Sequence, residues 1–331
     1  MSATASPAAD APKPPISRGV RIAFAVAMLA VLIAPAVVVW LTRSSGPAVS
    51  PETGIHAGRL PSDIAIQDST VWVVSGRDNR VVAIDAAHPE QAGTSHGTGS
   101  APLRVAVGAR SVWTADAGDD TVTRLDPLLP GSGRRIALGA EAVDVAVSPD
   151  GAWVSNGIRG TVTRIDPISN RVSGPPVRTG SYPAALAFGA GYLWVVNAGD
   201  GTVARVDPRE NLVVGRRLPV GRDPQDIAVG FGSVWVANRG DGTVTRLSAT
   251  TGKPAGTIRV GRAPGALAIT REGVLVLDMR DGDVSEIDPA NRRVDHVAHV
   301  GGFPTSMAVG AGGAWIVDAR SGTVTRLRND G

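Results

Sequence analysis

Apolar and polar residues alternate in short runs along most of the chain, and turn-forming residues separate these runs. The segments "SVWVAN" from Ser233 and "GTVTRL" from Gly242 show the pattern. A period of two residues is typical of a β-strand with one buried face, and Gly, Asn and Asp between such runs mark tight turns. We therefore expect an all-β protein built from short antiparallel strands.

The same string recurs at a fixed spacing. Alignment on the central residue of the "VWV" run gives seven positions that are 40 or 41 residues apart. A self-similar period of this length indicates a repeat architecture. The aligned positions are Trp72, Trp113, Trp153, Trp194, Trp235, Leu275 and Trp315.

Each unit holds four strand patterns, and four antiparallel strands in about forty residues predict one blade of a β-propeller. Seven units therefore predict a seven-bladed β-propeller, with a linear solenoid as the alternative. The last unit ends after its third strand, whereas an unassigned strand pattern at 52–58 precedes the first unit. We predict that this N-terminal strand completes the last blade and closes the ring over residues 52–331, because closure removes exposed sheet edges.

The N-terminal part of the chain has a different character. Residues 1–19 are rich in Ala, Pro and Ser and predict a disordered cytoplasmic tail. Residues 20–41 form an apolar run long enough to be a single transmembrane helix, and the basic residues before it place the later chain outside the cytoplasm. We expect a signal anchor in the plasma (inner) membrane, a stalk at 42–51 and an extracytoplasmic propeller. A cleaved signal peptide is the alternative.

Charge and composition exclude several function classes. The formal net charge is only +3, and the basic residues are not concentrated in one segment, so we expect no nucleic-acid partner. The chain has no cysteine, which excludes disulfides, thiolate metal sites and a thiol nucleophile. No residue pattern predicts a cofactor.

Residues that recur at one position of most units are expected to be structural. The tryptophans of the second strand should pack between neighbouring blades. The short polar residue three positions later should bond turn backbone; these residues are Ser75, Asp116, Asn156, Asn197, Asn238, Asp278 and Asp318. Arginines on the third strand should stack on tryptophan or donate hydrogen bonds between blades; they are Arg124, Arg164, Arg205, Arg246 and Arg326.

Function is expected where the repeat varies. The residue before the apolar core of each first strand should line the mouth of the central channel, and packing does not require the charged and polar residues there: Asp63, Arg104, Asp144, Asp226 and Ser306. Adjoining loops add further candidates, namely Arg59, Tyr182, Arg222, Arg262 and Phe303. We interpret these residues as a recognition surface for a polar or anionic partner, such as an envelope protein or a cell-wall ligand. An ordinary solvated rim is the alternative.

The stretch "VGRDPQDIAVGFGSVWVANRGDGTVTRL" resembles the YVTN/NHL-type propeller repeats of bacterial surface proteins. It is also similar to the extracytoplasmic sensor propellers of some bacterial membrane kinases. The resemblance covers about residues 52–331 and implies a membrane-anchored, non-enzymatic binding or sensing module.

A propeller enzyme of the lyase or lactonase type is the second hypothesis. Such enzymes use acidic or histidine residues around the channel with a divalent metal, and Asp63, Asp144 and Asp226 could hold a hard cation. The lyase-like "WFTE" strand reads "WVAN" or "WVVN" here. His296 and His299 are three residues apart on a fourth strand, so we expect them on opposite faces.

Overall fold

The computed structural model describes residues 49–148 and 150–329, and all regular structure in these ranges is β-strand. These described ranges contain no helix long and apolar enough to cross a membrane. The predicted tail at 1–19, the predicted span at 20–41 and most of the predicted stalk lie outside them.

The strands form seven antiparallel sheets, each a propeller blade. The chain begins with β1 (Val49–His56). Blade 1 contains β2 (Pro61–Gln67), β3 (Thr70–Ser75), β4 (Arg80–Asp85) and β5 (Thr94–Gly97). Blade 2 contains β6 (Pro102–Gly108), β7 (Ser111–Asp116), β8 (Thr121–Leu125) and β9 (Arg134–Ala137). Blade 3 contains β10 (Ala142–Ser148), β11 (Gly151–Asn156), β12 (Thr161–Asp166), β13 (Arg171–Val172) and β14 (Val177–Arg178).

The later blades repeat this order. Blade 4 contains β15 (Pro183–Gly189), β16 (Tyr192–Asn197), β17 (Thr202–Asp207), β18 (Leu212–Val213) and β19 (Leu218–Pro219). Blade 5 contains β20 (Pro224–Gly230), β21 (Ser233–Asn238), β22 (Thr243–Ser248) and β23 (Pro254–Arg259). Blade 6 contains β24 (Pro264–Ile269), β25 (Val274–Asp278), β26 (Asp283–Ile287) and β27 (Val294–His299). Blade 7 contains β28 (Pro304–Gly310), β29 (Gly313–Asp318) and β30 (Thr323–Asn329).

The first strands of consecutive blades lie side by side, and β28 of the last blade contacts β2 of the first, so the seven blades form a closed ring. The β1 strand is the fourth strand of blade 7 and pairs antiparallel with β30. The strand begins at Val49, three residues before the predicted start, because β30 is long enough to pair Val49 with Asn329. Pro51 is tolerated because β1 is an outer strand, where a missing N–H can face solvent.

Seven clusters of buried apolar side chains hold the described ring together, one in each gap between neighbouring blades. Each gap contains one tryptophan of the second strand, except the gap between blades 6 and 7, where Leu275 replaces it. Gly189 permits the close approach of blade 5, because a Cβ atom there would lie 2.2 Å from Val229 Cγ1. Trp113, Trp153, Trp194, Trp235 and Trp315 have no exposed surface, and burial of a side chain this large contributes about 3 kcal/mol or more.

The recurring arginines both stack and cross between blades. Arg246 lies 4.8 Å from the ring centre of Trp235 in its own blade and donates to Pro289 O of the next blade at 2.7 Å. Arg326 repeats this arrangement at the ring closure, 4.7 Å from Trp315 and 2.9 Å from Ala86 O. The same two contacts are made by Arg124, Arg164 and Arg205.

The polar position after each tryptophan is fixed by hydrogen bonds within the blade. Asn238 Nδ2 donates to Thr243 Oγ1 at 3.1 Å and to Thr245 Oγ1 at 2.8 Å, while its Oδ1 accepts from Gly221 N. In blade 2 the direction is reversed, because the carboxylate of Asp116 accepts from Thr123 Oγ1 at 2.6 Å. Burial raises the pKa of Asp116 to about 6. The predicted bond to turn backbone is present in blades 6 and 7, where Asp278 accepts from Arg280 N and Asp318 accepts from Arg320 N, both at 2.9 Å.

The expected separation of the two histidines on β27 is wrong. His299 Nδ1 lies 2.7 Å from Asp283 Oδ1, and His296 Nε2 lies 3.6 Å from the same atom. A β-bulge causes this, since Val284 pairs with Ala298 but Ser285 pairs with His296. The extra residue brings both rings to one face.

Candidate functional site

The structure brings three of the predicted channel residues into direct contact. Asp63, at the start of β2, accepts from Ser306 Oγ at 2.6 Å and from Val105 N at 2.8 Å. Arg104 Nη1 lies 3.4 Å from Asp63 Oδ1. The three side chains come from the first strands of blades 7, 1 and 2, so this contact spans the point of ring closure.

Asp144 and Asp226 make equivalent bonds between other pairs of blades. Asp144 accepts from its neighbour Val145 N at 2.9 Å and from Leu186 N of blade 4 at 2.7 Å. Asp226 accepts from Ile227 N at 2.8 Å and from Leu267 N of blade 6 at 2.7 Å. Each carboxylate thus fastens its blade to the next one along the channel. Sequence analysis did not predict this role, because the pairing of first strands from different blades leaves no trace in one unit.

Arg104 supplies the positive charge that faces the carboxylates of Asp63, Asp144 and Asp226. Burial raises the pKa of Asp144 to about 7 and that of Asp226 to about 6, although Arg104 and the backbone donors favour the charged forms. The carboxylates in turn raise the pKa of Arg104 above its usual range despite its burial. The channel mouth therefore has a charge that changes between about pH 5 and pH 8.

The proposed cation site at Asp63, Asp144 and Asp226 does not fit these contacts. Both oxygens of each carboxylate already face donors, and the guanidinium of Arg104 lies where a divalent cation would be repelled. Within residues 49–148 and 150–329 no group of three acidic or histidine side chains is placed to hold a metal ion.

The loop arginines contact the turn between the second and third strands of their own blade. Arg222 Nε lies 2.6 Å from Asp241 Oδ1, and Arg262 Nε lies 3.6 Å from Asp281 Oδ2. Arg59 donates its backbone N–H to Ser75 Oγ at 2.9 Å. These residues lie on the face of the ring that carries the channel mouth, because the loops before the first strands and these turns are at the same end of each blade.

Large apolar side chains are exposed on this same face. Phe303 is 52% exposed and Tyr182 is 44% exposed, and both were predicted from the sequence. Leu60 and Leu103, 53% and 38% exposed, were missed because the prediction concentrated on charged residues. Their signal was their position beside the proline that begins the first strand, Pro61 for Leu60 and Pro102 for Leu103. Phe303, Leu60 and Leu103 belong to the adjoining blades 7, 1 and 2, next to the contact of Asp63 with Arg104.

Two of these side chains occupy unfavourable backbone positions. Leu60 has φ 53° and Tyr182 has φ 49°, in the left-handed region where a bulky residue is uncommon. A left-handed conformation costs a non-glycine residue about 1 kcal/mol or more, and glycine would remove this cost. The equivalent Ala101 and Asp223 have φ 46° and 50°, so this conformation is a feature of the repeat, whereas the large exposed side chain is particular to Leu60 and Tyr182.

No family model and no curated protein matches the sequence. Solved structures are similar at low identity. Virginiamycin B lyase from Staphylococcus aureus is 12% identical with a TM-score of 0.75, over 85% of this chain and 99% of that one. A catalytically inactive histidine-to-alanine variant of that lyase with quinupristin has a TM-score of 0.73 at 12% identity, with the same coverage. The WD40 propeller domain of Doa1 is 13% identical with a TM-score of 0.71, over 86% of this chain and 98% of that one.

These similarities show the fold alone. The chain is a seven-bladed β-propeller whose structural neighbours include both enzymes and non-enzymatic propellers. The resemblance to YVTN/NHL-type repeats stays a prediction.

Proposed function

We propose that this chain is a membrane-anchored, non-enzymatic binding module. Its propeller lies outside the cytoplasm and uses the face around the channel mouth to bind an envelope protein or a polar cell-wall ligand. The apolar run at 20–41 supplies the reason for the anchor and for the orientation.

The observation that carries the proposal is the exposure of Leu60, Tyr182 and Phe303 around the channel mouth. Aromatic side chains and arginines are enriched at the centre of binding surfaces. Arg320 lies 5.5 Å from the ring centre of Phe303, so a cation borders the aromatic ring. The channel charges lie next to this apolar area and would orient a polar partner.

Site-specific photo-crosslinking tests the proposal. A photoreactive phenylalanine analogue replaces Phe303 in one variant of the full chain and Phe231 in another, and both are irradiated in intact cells. Phe231 is a matched control, because it is 41% exposed and lies in the turn between β20 and β21, on the opposite face. We expect discrete adducts from position 303 and none from position 231. Equal adduct patterns from both positions would contradict the proposal.

The similarity to virginiamycin B lyase favours one alternative, a propeller lyase. Among the described residues the histidines lie on β1, on outer turns or on fourth strands, and the channel carboxylates are occupied by backbone donors. The histidine-to-alanine variant of that lyase is inactive, and no described first strand here carries a histidine. Incubation of the purified chain with quinupristin and Mg²⁺, followed by mass spectrometry, separates the two functions. Conversion of quinupristin would favour the lyase.

A further inference from the structure

A groove of about 870 Å³ lies on the face of the ring that carries the channel mouth, between the outer strands of blades 4 and 5. The fourth strand of blade 4 is interrupted between β18 and β19, where Gly215 has a left-handed φ of 73°. In blade 5 the fourth strand β23 is continuous and pairs with β22 as far as Thr243 with Arg259. The groove is bounded by Pro219 of β19 and by Thr243 and Arg259 of blade 5, whereas Gly215 at the interruption lines a separate, smaller cavity.

The groove is strongly basic. Its lining includes Arg222, Arg259, Arg262 and Arg280 but only one carboxylate, that of Asp241. Within the described parts of the chain, neither Arg259 nor Arg280 has a carboxylate oxygen within 4.0 Å of its guanidinium. Both side chains are exposed, so their charges are available to a ligand.

The floor of the groove supplies hydrogen-bond donors. Thr245 is 6% exposed and Thr243 is half-buried, and both hydroxyl oxygens accept from Asn238 Nδ2. A hydroxyl that accepts in this way keeps its own proton free to donate, and the described residues provide no acceptor for either proton. In blade 2 the equivalent Thr123 donates to Asp116, so a carboxylate uses the proton there. The neutral Asn238 therefore makes the floor of blade 5 a donor surface.

We infer that this groove binds a multiply charged oxyanion, with phosphate or carboxylate groups held between the guanidinium of Arg259 and the hydroxyls of Thr243 and Thr245. Arginine is suited to this task because its planar donors match both kinds of oxyanion. The volume of the groove and its four arginines favour a ligand with several charges over a single ion. The inference rests on the proposed function, since it names a ligand class for the same face.

Isothermal titration calorimetry of the full chain in mild detergent tests the inference. Inorganic tripolyphosphate is the phosphate probe and a hexaglutamate peptide is the carboxylate probe. We expect at least one probe to bind, and Arg259→Gln to weaken that binding about tenfold, the effect of losing one charge-assisted hydrogen bond. Thr245→Val should also weaken it, because the valine keeps the shape and removes the donor.

Arg209→Gln is the control, since Arg209 is exposed and lies outside the groove. Binding of tripolyphosphate alone would identify phosphate as the ligand chemistry, and binding of hexaglutamate alone would identify carboxylate. The inference is overturned if neither probe binds, or if Arg209→Gln weakens binding as much as Arg259→Gln does. If neither probe binds but position 303 still forms crosslinks, the inference about the groove is wrong and the proposed function still stands.

Discussion

Replacement of Arg104 by glutamine should destabilise the ring in a pH-dependent manner. Arg104 lies 3.4 Å from Asp63 and lowers the pKa of Asp144 and Asp226, which burial raises to about 7 and about 6. A carboxyl whose pKa is raised in the folded state contributes stability at low pH, and this contribution is lost as pH rises through the folded pKa. Without Arg104 the pKa values of Asp144 and Asp226 rise further. The variant should therefore lose more unfolding free energy than the wild-type chain as the pH rises to neutral.

The magnitude follows from the burial of the pair. Removal of one partner of a buried ion pair lowers the free energy of unfolding by about 3–5 kcal/mol. Because the side chain of Arg104 is 27% exposed, we expect a smaller loss of about 2–3 kcal/mol at pH 7.5. At pH 5, where Asp144 and Asp226 are mostly protonated, only the contact with Asp63 is lost, and we expect about 1 kcal/mol.

Urea unfolding followed by tryptophan fluorescence at both pH values measures the difference in the free energy of unfolding. The exposed Arg209→Gln variant should change it by less than about 0.5 kcal/mol. Equal losses for Arg104→Gln at pH 5 and pH 7.5, or a loss below about 0.5 kcal/mol at pH 7.5, would refute this electrostatic account.

Three further predictions concern the ring and its channel. Deletion of residues 49–56 should lower the melting temperature by about 10 °C or more, since it removes β1 and exposes the edge of β30; an unchanged melting temperature would show that β1 does not close the ring. Arg326→Met should cost about 2 kcal/mol because it removes the bond to Ala86 O and the stacking on Trp315, whereas the exposed Arg328→Met should cost far less; chemical denaturation compares the two, and equal effects would contradict the role of Arg326. Ca²⁺, Mg²⁺ and Zn²⁺ should leave the melting curve unchanged. A bound metal at 100 times its dissociation constant would stabilise the folded state by about 2.7 kcal/mol, so a shift of the curve that Asp226→Ala abolishes would support the metal-site hypothesis.

The sequence predicts the ring well because its period is a property of one unit. The spacing of the tryptophans defines the blades, and the pairing of Trp235 with Arg246 across β21 and β22 follows from strand register. Closure by a strand from the N-terminal side also follows, because the last unit lacks one strand.

Bonds between the first strands of neighbouring blades, and local irregularities within a blade, are what the sequence does not predict. The bond of Asp226 to Leu267 N joins first strands 41 residues apart, and its geometry depends on the angle between blades. The bulge beside Val284 reverses the expected face of His296, since a single extra residue changes the side-chain alternation. The groove beside Arg259 is lined by residues of blades 4, 5 and 6, such as Pro219, Thr243 and Arg280, so it exists only once these blades are packed together.

Hydroxyl-radical footprinting tests most directly the claim that the channel-mouth face is the binding surface. Oxidation of the full chain is compared in the cell envelope in which it is expressed and after purification. Leu60, Tyr182 and Phe303 should be oxidised less in the envelope, because a partner covers them, whereas Phe231 on the opposite face should be oxidised equally in both samples. Equal oxidation of all four side chains in the two samples would contradict the account.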